Sequence, residues 1–69
     1  MAARPFGWTD VHAIAQGLEE AHPEAEILKL RFTELHRWVT ELAGFADDPK
    51  KSNEKTLEAI QMAWLDERD

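Results

Sequence analysis

The clearest structural signal in the chain is the run Thr33-Glu34-Leu35-His36-Arg37-Trp38-Val39-Thr40-Glu41-Leu42. Its apolar residues fall at positions i, i+3, i+4 and i+7, which is the spacing of one face of an α-helix. Thr33 is a good N-cap, and Gly44 follows the last apolar residue at the kind of position where helices commonly end. The run therefore predicts an amphipathic helix that begins at Thr33 and stops before Gly44.

One further helix is predicted on each side of this one. The earlier helix has Thr9 as its N-cap and an apolar face that recurs at helical spacing up to Ala21, before His22-Pro23 ends it. The later helix follows Asp47-Asp48-Pro49, is capped by Ser52 and continues nearly to the end of the chain. Its apolar stripe is formed by Leu57, Ile60 and Trp64.

The connection between the first two helices, residues 25–32, alternates apolar and charged side chains. Alternation favours an extended segment, which we expect to lie across the helices and to pair with the stretch around residues 44–48. The sequence thus predicts a mainly α, small three-helix domain. Its expected arrangement is a modified winged helix or helix-turn-helix with a short extended connection.

The length of 69 residues allows one domain, residues 1–69, and the absence of cysteine excludes a disulfide framework. The core must therefore depend on large apolar side chains, and we expect the tryptophans at 8, 38 and 64 to supply them. The longest charge-free stretch, residues 11–18, is too short to span a bilayer. Residues 1–7 lack the apolar core of a secretory signal, so we expect a cytoplasmic monomer with a short mobile N-terminal end.

Charge is the most informative feature of the composition. Fourteen acidic side chains against eight basic ones give a formal charge of −6, which opposes binding to nucleic acid and to an anionic membrane. Five carboxylates and no Lys or Arg occur between residues 10 and 26. Further acids cluster at residues 47–48, before the third predicted helix, and at residues 66–69, at its end. Acidic side chains at a helix C-terminus are electrostatically unfavourable. A basic protein surface or a metal cation is the expected partner.

The alternative for such acidic runs is a solvated surface that keeps a small protein in solution. Carboxylates suit hard cations, but the spacing here matches neither an EF-hand loop nor a two-His-one-carboxylate site, so any metal site is expected to be open and weak. The histidines at 12 and 22 form no zinc pattern with His36, which we interpret as a structural hydrogen-bonding residue, with a ligand or proton-transfer role as the alternative. No catalytic constellation or phosphate loop is present in the sequence. Met62 and Leu65 belong either to a broad core face or to a small partner-contact patch.

Five blocks of sequence, taken together, resemble the IscX (YfhJ) family of iron–sulphur cluster assembly accessory proteins. The resemblance extends from Trp8 to Glu67, with the blocks in the same order and at the same separations. The blocks are Trp8-Thr9-Asp10, Arg31-Phe32-Thr33-Glu34-Leu35-His36-Arg37-Trp38-Val39, Asp47-Asp48-Pro49-Lys50-Lys51-Ser52-Asn53-Glu54-Lys55, Leu57-Glu58-Ala59-Ile60 and Trp64-Leu65-Asp66-Glu67.

The resemblance implies a regulatory adaptor that is not an enzyme. Members of the family dock an acidic face on the cysteine desulfurase IscS and modulate sulphur delivery, and frataxin is thought to compete for the same region. They bind ferrous iron weakly, so no tightly held cofactor is expected. Two alternatives are an iron donor to the cluster scaffold and a DNA-binding winged-helix regulator, and the negative charge opposes the second.

The resemblance also implies site residues. The positions that match acidic residues of the family, and that are therefore predicted to bind the partner, are Glu20, Glu24, Glu26, Glu34, Glu41, Asp47, Asp48, Asp66 and Glu67. The chain departs from the family where relatives often carry a longer acidic run, since it has Ala43, Gly44 and Ala46 there, and Thr40 stands where a cysteine can occur. Weak ferrous binding is therefore assigned to the first helix and the turn after it, with Glu19, Glu20, Glu24 and Glu26 as the predicted ligands.

Overall fold

A computed structural model describes residues 5–69 and contains three α-helices. They are α1 (Val11–Ala21), α2 (Phe32–Thr40) and α3 (Glu54–Arg68), with short 3₁₀ turns at Ile27–Lys29 and Pro49–Lys51 in the connections. The prediction of a mainly α, three-helix domain is confirmed. Each helix has the predicted apolar stripe, so burial of these stripes against one another accounts for the order of the elements.

The helix starts differ from the predicted caps by one or two residues. The N-cap of α1 is Asp10 rather than Thr9, and its carboxylate accepts a hydrogen bond from the backbone N–H of Gly7 instead of capping the helix. Helix α2 begins at Phe32, before the predicted cap at Thr33. The N-cap of α3 is Asn53 rather than Ser52, because the Asn53 side chain accepts from the backbone N–H of Thr56 at 2.9 Å.

The helix ends follow the breakers in the sequence. Helix α1 stops at Ala21, with His22 as its C-cap immediately before Pro23. Helix α2 ends at Thr40, before Leu42, which had been expected to lie on its face. The chain then turns through Gly44, whose φ of 93° is a conformation that side chains other than glycine rarely adopt.

The connection between α1 and α2 was predicted to be extended. It is not, because Ile27–Lys29 forms a 3₁₀ turn. The turn buries Ile27 and leaves Leu28 72% exposed, so the alternating pattern did not identify the inward-facing side. The side-chain amide of Gln61 donates to the Ile27 carbonyl at 3.0 Å and holds the turn against α3. The donor of this bond, Gln61, is distant from the segment in the sequence. The local apolar pattern could not indicate it and therefore predicted the wrong conformation.

The stretch at residues 44–48 pairs with Phe6, not with residues 25–32. The N–H of Phe6 donates to the Gly44 carbonyl at 2.9 Å, and the N–H of Ala46 donates to the Phe6 carbonyl at 2.8 Å. This is an isolated bridge, and the part of the chain from residue 5 onward contains no β-strand that could form a wing, so the winged-helix detail is not confirmed. The mobile end had been expected over residues 1–7, of which residues 1–4 lie outside the described residues, whereas Phe6 and Gly7 are hydrogen-bonded.

The core lies mainly between α1 and α3, with α2 and the 3₁₀ turn at Ile27–Lys29 covering it. Trp8 and Trp64 are buried as predicted, and Trp38 is half-buried and packs edge-on against Trp64. The buried residues are Trp8, Ile14, Ala15, Leu18, Ile27, Leu35, Val39, Leu57, Ile60, Ala63 and Trp64. None of the helices within residues 5–69 is long and apolar enough to cross a membrane.

Helices α1 and α3 run in the same direction. At one end, residues around the start of α1 share a groove with Asn53 and Thr56 at the start of α3. At the other end, Glu19 in the last turn of α1 is hydrogen-bonded to Trp64 and Arg68 near the end of α3. Both C-termini therefore meet at one end of the molecule.

Candidate functional site

Most of the net charge of the protein is concentrated where the two helix C-termini meet. We define the acidic end as residues 19–29 and 66–69. It contains seven carboxylates and two cations, Lys29 and Arg68, so it has a formal charge of −5 out of the −6 of the whole chain. The seven carboxylates are Glu19, Glu20, Glu24, Glu26, Asp66, Glu67 and Asp69.

Arg68 joins the two segments of the acidic end. Its guanidinium donates to the Glu19 carboxylate at 2.9 Å and to the backbone carbonyl of His22 at 3.1 Å, and it also donates to the carbonyl of Ala25. The same guanidinium lies 5.6 Å from the centre of the Trp64 ring. One cation therefore holds the last turn of α3 against the last turn of α1 and the residues that follow it.

Glu19 is the carboxylate that this arrangement removes from the surface. It accepts from the indole N–H of Trp64 at 2.9 Å as well as from Arg68, and its side chain is only 28% exposed. Hydrogen bonds from Trp64 and from Arg68 lower the pKa of Glu19, since both stabilise the charged form. Glu19 is consequently a structural anchor and not a freely presented acid.

The lowered pKa of Glu19 predicts loss of stability on acidification. Because the folded-state pKa lies below the unfolded one, the contribution of this group is fully present above the ordinary Glu range and is lost as the pH falls through the folded pKa. We expect the melting temperature of the Glu19→Gln variant to depend less on pH on the acid side than that of the native chain. Thermal melts between pH 6 and about 3 measure this, with Glu58→Gln, an exposed change on α3, as the control. Parallel acid-side profiles for native and Glu19→Gln proteins would show that the assigned cause is wrong.

The four predicted iron ligands do not form one site. Glu19 is bound to Arg68, and Glu26 is paired with Lys29 at 3.3 Å, both of these side chains being exposed. Glu20 and Glu24 are exposed at the end of α1 and in the turn after it. Over residues 5–69, no three side chains of the His, Cys, Asp or Glu type come together in a way that could hold a metal ion. These residues do not fit a resident metal centre.

The predicted partner-binding residues fall into two groups. Five of them are exposed at the acidic end: Glu20, Glu24, Glu26, Asp66 and Glu67. The other four lie outside it: Glu34 and Glu41 on or just after α2, and Asp47 and Asp48 before the second 3₁₀ turn. The structure thus brings together only the first five.

Asp47 and Asp48 have structural roles at the opposite end of α1. Asp47 accepts from the backbone N–H of Trp8 at 3.1 Å and from that of Asp48 at 2.7 Å, and these bonds lower the pKa of Asp47. Asp48 caps the turn at Pro49–Lys51 by accepting from the N–H of Lys50 at 2.9 Å. Since α1 is about 16 Å long at the usual helical rise, these two carboxylates belong to a different part of the surface.

The histidines confirm a structural interpretation at one position and add an unpredicted contact at another. The Nε2–H of His36 donates to the carbonyl of Pro49 at 2.6 Å, and the ring stacks on Trp8. The ring of His22, within the acidic end, stacks face to face on Trp38 with 3.8 Å between ring centres. Sequence reasoning missed the roles of His22 and Arg68. A lone arginine among carboxylates at the end of a helix was the available signal for Arg68.

The chain is similar to known proteins over most of its length. A family model described as iron-sulphur cluster assembly matches residues 6–69. An uncharacterized protein of Pseudomonas aeruginosa is 55% identical over 62 residues, which cover 90% of this chain and 94% of that relative. The residues matched by the family model include both segments of the acidic end.

Proposed function

The chain belongs to the iron–sulphur cluster assembly family, as its resemblance to the IscX (YfhJ) family predicted, and from that membership we propose that it is an accessory adaptor and not an enzyme. In this proposal the acidic end docks on a basic surface of the cysteine desulfurase IscS in the cytoplasm and modulates the delivery of sulphur. The observation that carries the proposal is the charge of −5 on two segments that Arg68 joins into one surface.

Physical chemistry supports docking rather than catalysis at this surface. Like charges collected at one end of a small protein attract a basic partner over a distance of roughly a Debye length, about 8 Å in physiological salt, and so raise the rate of association. Glu20, Glu24, Asp66 and Glu67 are exposed, so they remain available to such a partner. Frataxin, if it uses the same basic surface as the family resemblance implies, competes with the chain for it.

Ferrous iron is not needed for this proposal. The described carboxylates do not converge on a metal position, so docking in this proposal does not depend on bound iron. Weak, exchangeable binding of ferrous iron stays a prediction. Of its four predicted ligands, Glu19 is paired with Arg68, while Glu20, Glu24 and Glu26 are exposed. The iron-donor alternative requires a site that can be loaded, and no observation on residues 5–69 favours it.

The test is to measure binding to IscS by titration calorimetry at two salt concentrations. We expect the affinity of the native chain to fall with increasing salt, and the double variant Glu20→Lys/Glu24→Lys to bind about tenfold or more weakly, because it replaces attraction by repulsion. Both side chains are exposed, so the fold should survive.

The control is the double variant Glu54→Lys/Glu58→Lys, which makes the same change of charge at exposed positions outside the acidic end. We expect it to bind less than about threefold more weakly than the native chain, through the long-range field alone. An equal loss in both double variants would mean that total charge, and not the acidic end, determines binding. No binding by the native chain at either salt concentration would overturn the proposal.

A further inference from the structure

The acidic end contains an apolar groove that its charges do not explain. The groove has a volume of about 250 Å³ and is lined by Glu26, Ile27, Leu28, Lys29, Leu65 and Arg68. It lies between the 3₁₀ turn at Ile27–Lys29 and the last turns of α3. The two cations at the groove are already paired, Lys29 with Glu26 and Arg68 with Glu19.

Leu28 is a large apolar side chain that is exposed and contributes little to the packing of the core. It is 72% exposed, while its neighbour Ile27 is buried and fixes the turn through the hydrogen bond from Gln61. A large apolar side chain beside an apolar groove is a common feature of binding surfaces. Leu65, for which the sequence left open a core or a partner-contact role, is half-buried and forms the other wall of this groove.

The charge around the groove determines what can occupy it. Glu26 lines the groove itself, and Glu24 precedes it in the turn after α1, while Asp66 and Glu67 follow Leu65 in the last turn of α3. A second copy of this chain would bring two ends of charge −5 together, which like-charge repulsion opposes. A partner that fits must therefore present an apolar side chain surrounded by Lys or Arg.

We infer that this groove, with Leu28 on its rim, is the anchor point at which the docking partner inserts an apolar side chain carried on its basic surface. The inference rests on the proposed function and assigns different roles in binding to the charged and the apolar side chains. The carboxylates bring the partner to the acidic end and determine the dependence on salt, while Leu28 and Leu65 determine how long the complex lasts.

The experiment compares Leu28→Ser with Met62→Ser in binding to IscS. Met62 is the other large apolar side chain exposed within the described residues, at 59%, and it lies on α3 outside the acidic end. We expect Leu28→Ser to weaken binding about tenfold or more, and Met62→Ser to change it less than about threefold. Leu28→Met, which keeps an apolar side chain of similar volume, should restore most of the affinity.

The dependence on salt separates this inference from the proposed function. Leu28→Ser should leave the slope of log Kd against log salt unchanged, because it removes no charge, whereas Glu20→Lys/Glu24→Lys should reduce the slope. Salt-dependent binding by the native chain with unchanged affinity in Leu28→Ser would overturn the groove inference alone. Failure of the native chain to bind would overturn both. Dimers of the native chain that Leu28→Ser abolishes, detected by sedimentation, would assign the groove to a second copy and overturn the inference.

Discussion

Replacing Trp64 with alanine is expected to leave the chain largely unfolded at 25 °C. Trp64 is the largest of the fully buried side chains of the core. It packs edge-on against Trp38 and donates its indole N–H to Glu19. Truncating a buried tryptophan costs roughly 3 to 5 kcal/mol, while a domain of this size usually has only about 3 to 5 kcal/mol of net stability.

Circular dichroism during heating measures this effect, and Trp64→Phe is the matched control. Phenylalanine retains most of the apolar volume but loses the N–H that Glu19 accepts, so this variant should fold and melt at a lower temperature than the native chain. A cooperative melt of Trp64→Ala within about 5 °C of the native chain, a difference of about 1 kcal/mol for a domain of this size, would show that Trp64 is not the main support of the core.

Replacing Arg68 with methionine is expected to lower the melting temperature by roughly 10 °C, although the residue is next to last in the chain. Terminal residues usually contribute little, but the Arg68 guanidinium donates to two backbone carbonyls besides the Glu19 carboxylate. Losing charge-assisted bonds to these carbonyls alone costs about 2 kcal/mol. Methionine preserves much of the apolar stem that packs near Trp64.

The control is Arg68→Lys, which keeps the charge but cannot direct separate N–H groups to three acceptors. It should melt between the native chain and Arg68→Met. A double-mutant cycle with Glu19→Gln measures how much of the effect passes through that carboxylate. Arg68→Met melting within 2 °C of the native chain would mean that the network of Arg68 is a weak surface contact.

The sequence was sufficient for the helices because their signals are local. The i, i+3, i+4 and i+7 spacing of Leu35, Trp38, Val39 and Leu42 predicted α2, and His22-Pro23 predicted the end of α1. The caps of α1 and α3 were wrong by one residue because neighbouring Ser, Thr, Asp and Asn side chains are almost equally good caps, whereas α2 begins after Arg31, two residues before the predicted cap. Which of the neighbouring residues caps the helix depends on how the helix packs in the folded protein.

The acidic surface was predicted less completely because pairing is a long-range property. Counting charges identified the concentration between residues 10 and 26, but Glu19 is paired with Arg68, 49 residues away. Asp47 accepts a hydrogen bond from Trp8, whereas Glu20 is exposed, but both occur in the sequence simply as members of an acidic pair. The direction of α1 relative to α3 determines which acidic residues lie together. That direction depends on contacts between the two helices, which the sequence of either helix alone does not indicate.

The common direction of α1 and α3 has a consequence for how the molecule moves before it touches anything. The peptide dipoles of the two helices add instead of cancelling, and their negative poles coincide with the carboxylates of the acidic end. The protein therefore has an electric dipole moment aligned with α1 and α3. In the field of a positively charged surface it experiences a torque and rotates during approach, so most encounters begin with the same side facing forward.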